Sequence, residues 1–169
     1  MKIKRILSAA FFTLLAIPTF SQDEVVLGVF IHDNPNDAVT NLRSTPKGKI
    51  VKQLPHGAYA LYLSEMQNGW WKVVDIWDAD EVEKLDSTKT YWIHYSVIAM
   101  GTRNYGGERL ALKATPSSKS KTTYSFNKEI LLRPLEIKDG WVKVRTVDGK
   151  HTGWIEEDWL CGNPVTNCC

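Results

Sequence analysis

The sequence predicts an all-β protein of two tandem small barrels. Two observations predict it. Short runs of β-branched and aromatic residues recur between Gly, Pro, Asn and Asp turns. The same series of motifs also occurs twice in one order. Leu42-Arg43-Ser44-Thr45-Pro46 is echoed by Leu112-Lys113-Ala114-Thr115-Pro116. Asn68-Gly69-Trp70-Trp71-Lys72-Val73 is echoed by Asp139-Gly140-Trp141-Val142-Lys143-Val144, and Trp92-Ile93 by Trp154-Ile155. The Pro-to-Trp interval is 24 residues in the first copy and 25 in the second. The Trp-to-Trp interval is 22 against 13, so the first copy carries an insertion, the acidic stretch 75–90. Copies of this size, built of short strands and turns, suit small, strongly bent barrels.

Taken in order, the chain opens with Lys2, Lys4 and Arg5, then a mostly apolar run from Ile6 to Phe20, with the small residues Thr19 and Ser21 at its end. This is the pattern of a signal peptide over 1–21, cut before Gln22. The apolar run is short for a spanning helix and an acidic stretch follows it, so no retained membrane anchor is expected. Val25 to Ile31 reads as the first strand. His32 to Asp37 is dense in turn formers. Ala38–Arg43, Ile50–Leu54 and Ala58–Leu63 read as strands separated by turns. Asn68-Gly69 turns the chain into Trp70–Val74. Asp75 to Thr90 is too charged for a core and reads as an arm or a loop with a helical turn. Tyr91–Tyr95 resumes the strands.

The expected domains are 22–100 and 108–161, with 101–107 as a glycine-rich linker and 162–169 as a cysteine-containing tail. In the second domain Leu110–Ala114, Tyr124–Phe126 and Ile130–Leu135 are short strands. Trp141–Val147 and Thr152–Ile155 form a hairpin about Asp148-Gly149. Glu156–Leu160 reads as one helical turn.

The chain holds 21 basic and 19 acidic residues, and loss of the three signal cations leaves 18 against 19. No global basic bias draws such a protein to nucleic acid. Residues 22–100 carry 7 basic and 11 acidic side chains, and residues 101–169 carry 11 and 8. All three cysteines, Cys161, Cys168 and Cys169, lie in the last nine residues. In an oxidising compartment Cys161 with Cys168 or Cys169 can close a small loop. No histidine near them completes a zinc-like spacing, so no metal is expected there. Asp78, Asp80 and Glu83 could approach a cation, but they lack the order of a calcium loop, and a solvated arm is the expectation. The histidines form no paired motif, Ser44 and Ser117 sit in no nucleophile elbow, and no phosphate-binding glycine loop occurs, so neither enzyme activity nor a cofactor is expected.

The series Asn41-Leu42-Arg43-Ser44-Thr45-Pro46, Gly57, Asn68-Gly69-Trp70-Trp71-Lys72-Val73 and Trp92-Ile93 resembles the bacterial Src-homology-3-like family. The second copy resembles it from Leu112 to Leu160 and keeps Gly153 before Trp154; the first has Tyr91 there, and the second has Lys113 for Arg. The resemblance implies two tandem Src-homology-3-like barrels in an exported, periplasmic or envelope protein. It implies a non-catalytic binding module for a peptidoglycan fragment, a peptide or another envelope protein. The alternative is an assembly component whose barrels dock rigidly and take no small ligand.

Side chains alternate along a strand, so Val73 and Trp71 share one face and Trp70 and Lys72 the other. Trp141 and Lys143 are likewise opposite Val142 and Val144. With the valine face inward, Trp70 and Trp141 are the ligand-contact candidates, with Tyr59, Tyr62 and Tyr91 as neighbours. Trp92 and Trp154 are expected to pack.

Overall fold

A computed structural model describes residues 24, 26–55, 57–78 and 84–163. The expected signal peptide, Asp80, Glu83, Cys168 and Cys169 lie outside the described residues.

The first copy comprises β1 (Leu27–Ile31), β2 (Val39–Arg43), β3 (Ile50–Pro55), β4 (Ala60–Gln67), β5 (Trp70–Trp77), β6 (Tyr91–His94), a 3₁₀ turn at Tyr95–Val97, and β7 (Ile98–Thr102). The second comprises β8 (Leu110–Lys113), β9 (Thr122–Phe126), β10 (Leu131–Lys138), β11 (Trp141–Thr146), β12 (Thr152–Glu156), a 3₁₀ turn at Glu157–Trp159, and β13 (Leu160–Cys161). The fold is all-β, as the alternation predicts. The strands join one antiparallel sheet that runs β3-β2-β6-β5-β4-β1-β7-β10-β11-β12-β8-β9, with β13 also on β7. The sheet ends at β3 and β9 and does not close, so the expected barrels are open units.

The turns explain the strand registers. Asn68 and Gly69 have φ of 51° and 83°, and Asp139 and Gly140 have 51° and 77°. Two successive positive φ values match the right-handed twist of a tight hairpin, and Asn-Gly and Asp-Gly tolerate them. These two turns set β4 against β5 and β10 against β11.

β7 has two roles. In the first copy β1 pairs with both β4 and β7. In the second, β7 itself pairs with both β10 and β13. The closing strand of one copy is thus the opening strand of the next. The 101–107 stretch is therefore not a free linker. Gly101 and Thr102 belong to β7, and Thr102 and Asn104 are buried. The Thr102 hydroxyl donates to Asn104 Oδ1 at 2.8 Å and accepts the Ile130 N–H at 3.0 Å. This fixes the start of the second unit against β7.

The core is continuous across the copies. Leu61, Leu63, Trp71 and Ile93 from the first join Met100, Leu132, Val142 and Ile155. Trp71 is wholly buried, and its indole N–H donates to the Pro134 carbonyl at 3.1 Å. In return Arg133 donates to the carbonyls of His32, Ser96 and Ile98. A buried indole and a half-buried guanidinium thus satisfy backbone acceptors across the joint, where unpaired acceptors would be costly.

Candidate functional site

Two clefts occupy equivalent places on the two copies. Trp70 starts β5 and pairs in register with His94, while Trp141 starts β11 and pairs with Glu156. Arg43 pairs with Trp92, and Lys113 with Trp154. The first cleft, of about 430 Å³, is lined by Asp33, Asp37, Val39, Asn41, Arg43, Trp70, His94 and Val97. The second, of about 300 Å³, is lined by Arg109, Leu110, Ala111, Lys113, Ser118, Trp141, Ile155, Glu156 and Trp159. The repeat pairs Val39 with Arg109, Asn41 with Ala111, Arg43 with Lys113, His94 with Glu156, and Val97 with Trp159. One backbone site thus recurs with different side chains.

The first cleft is internally covered. The Arg43 guanidinium carbon lies 5.9 Å from the Trp70 ring centre, and the His94 ring lies 5.0 Å from it on a tilted plane. Arg43 is held there by donation to the Gly48 carbonyl at 2.8 Å. His94 also contacts Tyr95, with ring centres 4.6 Å apart, and its Nδ1 is 2.7 Å from the Ser96 hydroxyl. Burial lowers the His94 pKa, and the cations Arg133 and Lys47 lower it further. The imidazole is therefore held toward its neutral form.

The second cleft lacks that internal cover. Lys113, which stands where Arg43 stands, donates from Nζ to the Thr122 hydroxyl at 3.1 Å. Trp141 makes no ring or cation contact with a described residue, and Trp159 supplies a second indole where the first copy has Val97. Arg109 and Glu156 are exposed, and neither side chain pairs with a described residue.

The structure separates the residues singled out in the sequence. Trp70 and Trp141 are half-buried and line the clefts. Trp92 and Trp154 are buried. Tyr59 and Tyr91 are 8% and 5% exposed and line neither cleft. Tyr91 pairs in register with the inward Val73, and only its hydroxyl reaches the acidic segment, where it accepts the Asp86 N–H at 3.2 Å. Tyr62 is half-buried against Trp77, ring centres 6.1 Å apart, and lines neither cleft. Cys161 is buried in β13. Among the described residues no group of three or more His, Cys, Asp or Glu is placed to hold a metal.

In the acidic segment, Asp86 accepts the Thr88 N–H and hydroxyl, and its carboxylate lies 2.9 Å from Lys89 Nζ. The Thr88 and Lys89 hydrogen bonds lower its pKa to about 2. These local contacts make a turn held by its own side chains.

Sequence reasoning missed His94, Glu156, Arg109 and Trp159 as cleft residues. The repeat could have found them, because counting from Trp92 and Trp154 reaches His94 and Glu156, then Val97 and Trp159. No local spacing marks Trp159 as a neighbour of Trp141, since a 3₁₀ turn brings it there.

Comparison with known proteins bears on the second copy. The model of the bacterial SH3 domain matches residues 108–160. No curated protein matches the chain. Among solved structures the chain is similar to NlpC1 from Trichomonas vaginalis, at 13% identity and a TM-score of 0.33, over 83% of this chain and 47% of that one. It is also similar to NlpC2 from Trichomonas vaginalis, at 15% identity and a TM-score of 0.32, over 83% and 49%. The chain thus spans about half the length of those two proteins. Residues 108–160, about a third of the chain, are thus similar to the bacterial SH3 domain.

Proposed function

We propose that the protein is an exported, non-catalytic binding module associated with the cell wall, and that the Trp141 cleft holds a peptide or peptidoglycan fragment. The observation that carries this reading is the half-buried Trp141, whose ring no ring or cation of a described residue covers, with Trp159 lining the same cleft beside the unpaired Arg109 and Glu156. Indole rings offer flat apolar area at small entropic cost, and flanking charges orient a polar ligand. The cell-wall assignment follows the likeness of residues 108–160 to bacterial SH3 domains, which often bind cell-wall material.

Purified sacculi test the reading. Wild type should co-sediment with them, Trp141→Ala should bind about tenfold more weakly or worse, and Trp70→Ala should stay close to wild type. Circular dichroism checks that both variants fold. Failure of folded wild type to bind would remove peptidoglycan as the ligand.

A second reading, an assembly component, is favoured by the joint, where Trp71 and Arg133 lock the copies through the shared β7. It predicts that wild type ignores sacculi and instead co-purifies with an envelope protein. In either reading Cys161 is proposed to pair with Cys168 or Cys169 and tie the tail to β13. Intact mass should rise by two hydrogens on reduction, and an unchanged mass refutes the bridge.

A further inference from the structure

We infer that the Trp141 cleft selects a ligand bearing a free amine, which stands over the indole with Glu156 as its counter-charge. This rests on the proposed binding role of that cleft. The first copy supplies the internal template. There a cation of the chain itself, Arg43, lies 5.9 Å over the ring of the repeat-equivalent Trp70. An indole face attracts a cation through its quadrupole, most strongly where water is partly excluded. In the second copy the equivalent cation, Lys113, still lines the cleft, but its Nζ is bonded to the Thr122 hydroxyl and does not stand over the Trp141 ring.

Two further differences favour an external amine in the second cleft. Glu156 replaces His94 at the position directly across the strand pair from the tryptophan. Cross-strand partners have Cβ atoms about 5 Å apart, so the carboxylate can reach a group seated on the Trp141 ring. Trp159 replaces Val97 in the lining and adds a second indole. The His94 imidazole is held toward its neutral form and offers no counter-charge, whereas Glu156 does and is unpaired. Arg109, exposed and unpaired just before β8, suits a carboxylate on the same ligand and disfavours simple polycations. The ligand class is therefore an amine-bearing peptide or peptidoglycan peptide.

The test uses the full exported chain with native sacculi and with sacculi whose free amines have been acetylated with acetic anhydride. Binding is measured by sedimentation across a concentration series. Wild type should bind acetylated sacculi about tenfold more weakly than native sacculi. Glu156→Gln, an exposed substitution, should weaken binding to native sacculi and bring the native-to-acetylated ratio toward one. Equal binding of wild type to both preparations overturns the amine inference and leaves the binding role standing. A Glu156→Gln variant that keeps the wild-type ratio also overturns it, since the amine would then be read elsewhere. Absence of binding to either preparation removes the binding role, and the inference with it.

Discussion

In the first copy Arg43 and His94 cover Trp70. In the second, Lys113 turns to Thr122 and Glu156 stands unpaired beside an uncovered Trp141. The strand pairs that place these residues are the same, Trp70 with His94 and Trp141 with Glu156, Arg43 with Trp92 and Lys113 with Trp154. The backbone repeat therefore makes the site twice, and a few side chains decide which copy is left open to a partner. A second contrast lies one residue before the packing tryptophans. A Cβ on Gly153 would come within 2.8 Å of Leu112 Cβ and the Lys113 carbonyl, so only glycine lets β12 approach β8 this closely. The first copy has Tyr91 there, with its ring in the core and the acidic segment above its hydroxyl.

The contrast can be broken most severely at the joint. Trp71→Ala removes a wholly buried indole and leaves the Pro134 carbonyl without its donor. A loss of about 3–5 kcal/mol is expected, on the scale of core Trp substitutions. Because β7 and the core are common to both copies, both should lose stability together. Chemical denaturation followed by circular dichroism tests this. Two separate transitions, with the second copy unaffected, would show that the copies are energetically independent. Trp70→Ala, on the outer face, should cost far less.

A smaller effect asks whether the Arg43 cover is what distinguishes the clefts. In a Trp141→Ala background, Arg43→Ala uncovers Trp70 beside Asp33 and Asp37. Binding to native sacculi should recover several-fold relative to Trp141→Ala alone. No recovery would assign the difference between clefts to Glu156 and Trp159 instead.

The smallest expected effect concerns pH, and it belongs to the first copy. His32 and His94 both have pKa values lowered from the ordinary 6.5, first by burial and then by Arg133. For His32, Asp33 opposes the shift, and for His94 the Lys47 charge adds to it. Each therefore takes up its proton more readily in the unfolded chain. Their contribution to stability is intact above about pH 6.5 and is lost as pH falls below that value. The melting temperature should drop by a few degrees between pH 7 and pH 5.5. His32→Asn combined with His94→Asn should flatten that drop, and an unchanged slope would place the pH dependence elsewhere.

Much of this was legible in the residues themselves. Asn68-Gly69 and Asp139-Gly140 fix two hairpins, because their φ requirements are local. Alternation about Val73 and Val144 sorts buried Trp71 from half-buried Trp70 and Trp141, since a strand has only two faces. Tyr59 and Tyr91, singled out only as neighbours of the tryptophans, turn out to be buried. Alternation does not tell which face a separate strand turns inward until its partners are known, and Tyr91 lies opposite Val73.

An all-β chain, a series of motifs that occurs twice and the two tryptophans that open the hairpins were readable from the residues, because turn chemistry, side-chain alternation and repetition are properties of neighbouring residues. Long-range packing set the rest: β7 serves both copies, the sheet stays open, and Arg43 lies over one indole while Lys113 bonds Thr122 instead of covering the other. Those outcomes depend on which distant residues meet: a strand's second partner, a hydroxyl on the adjacent strand, or a carbonyl across the joint. No local pattern encodes that choice.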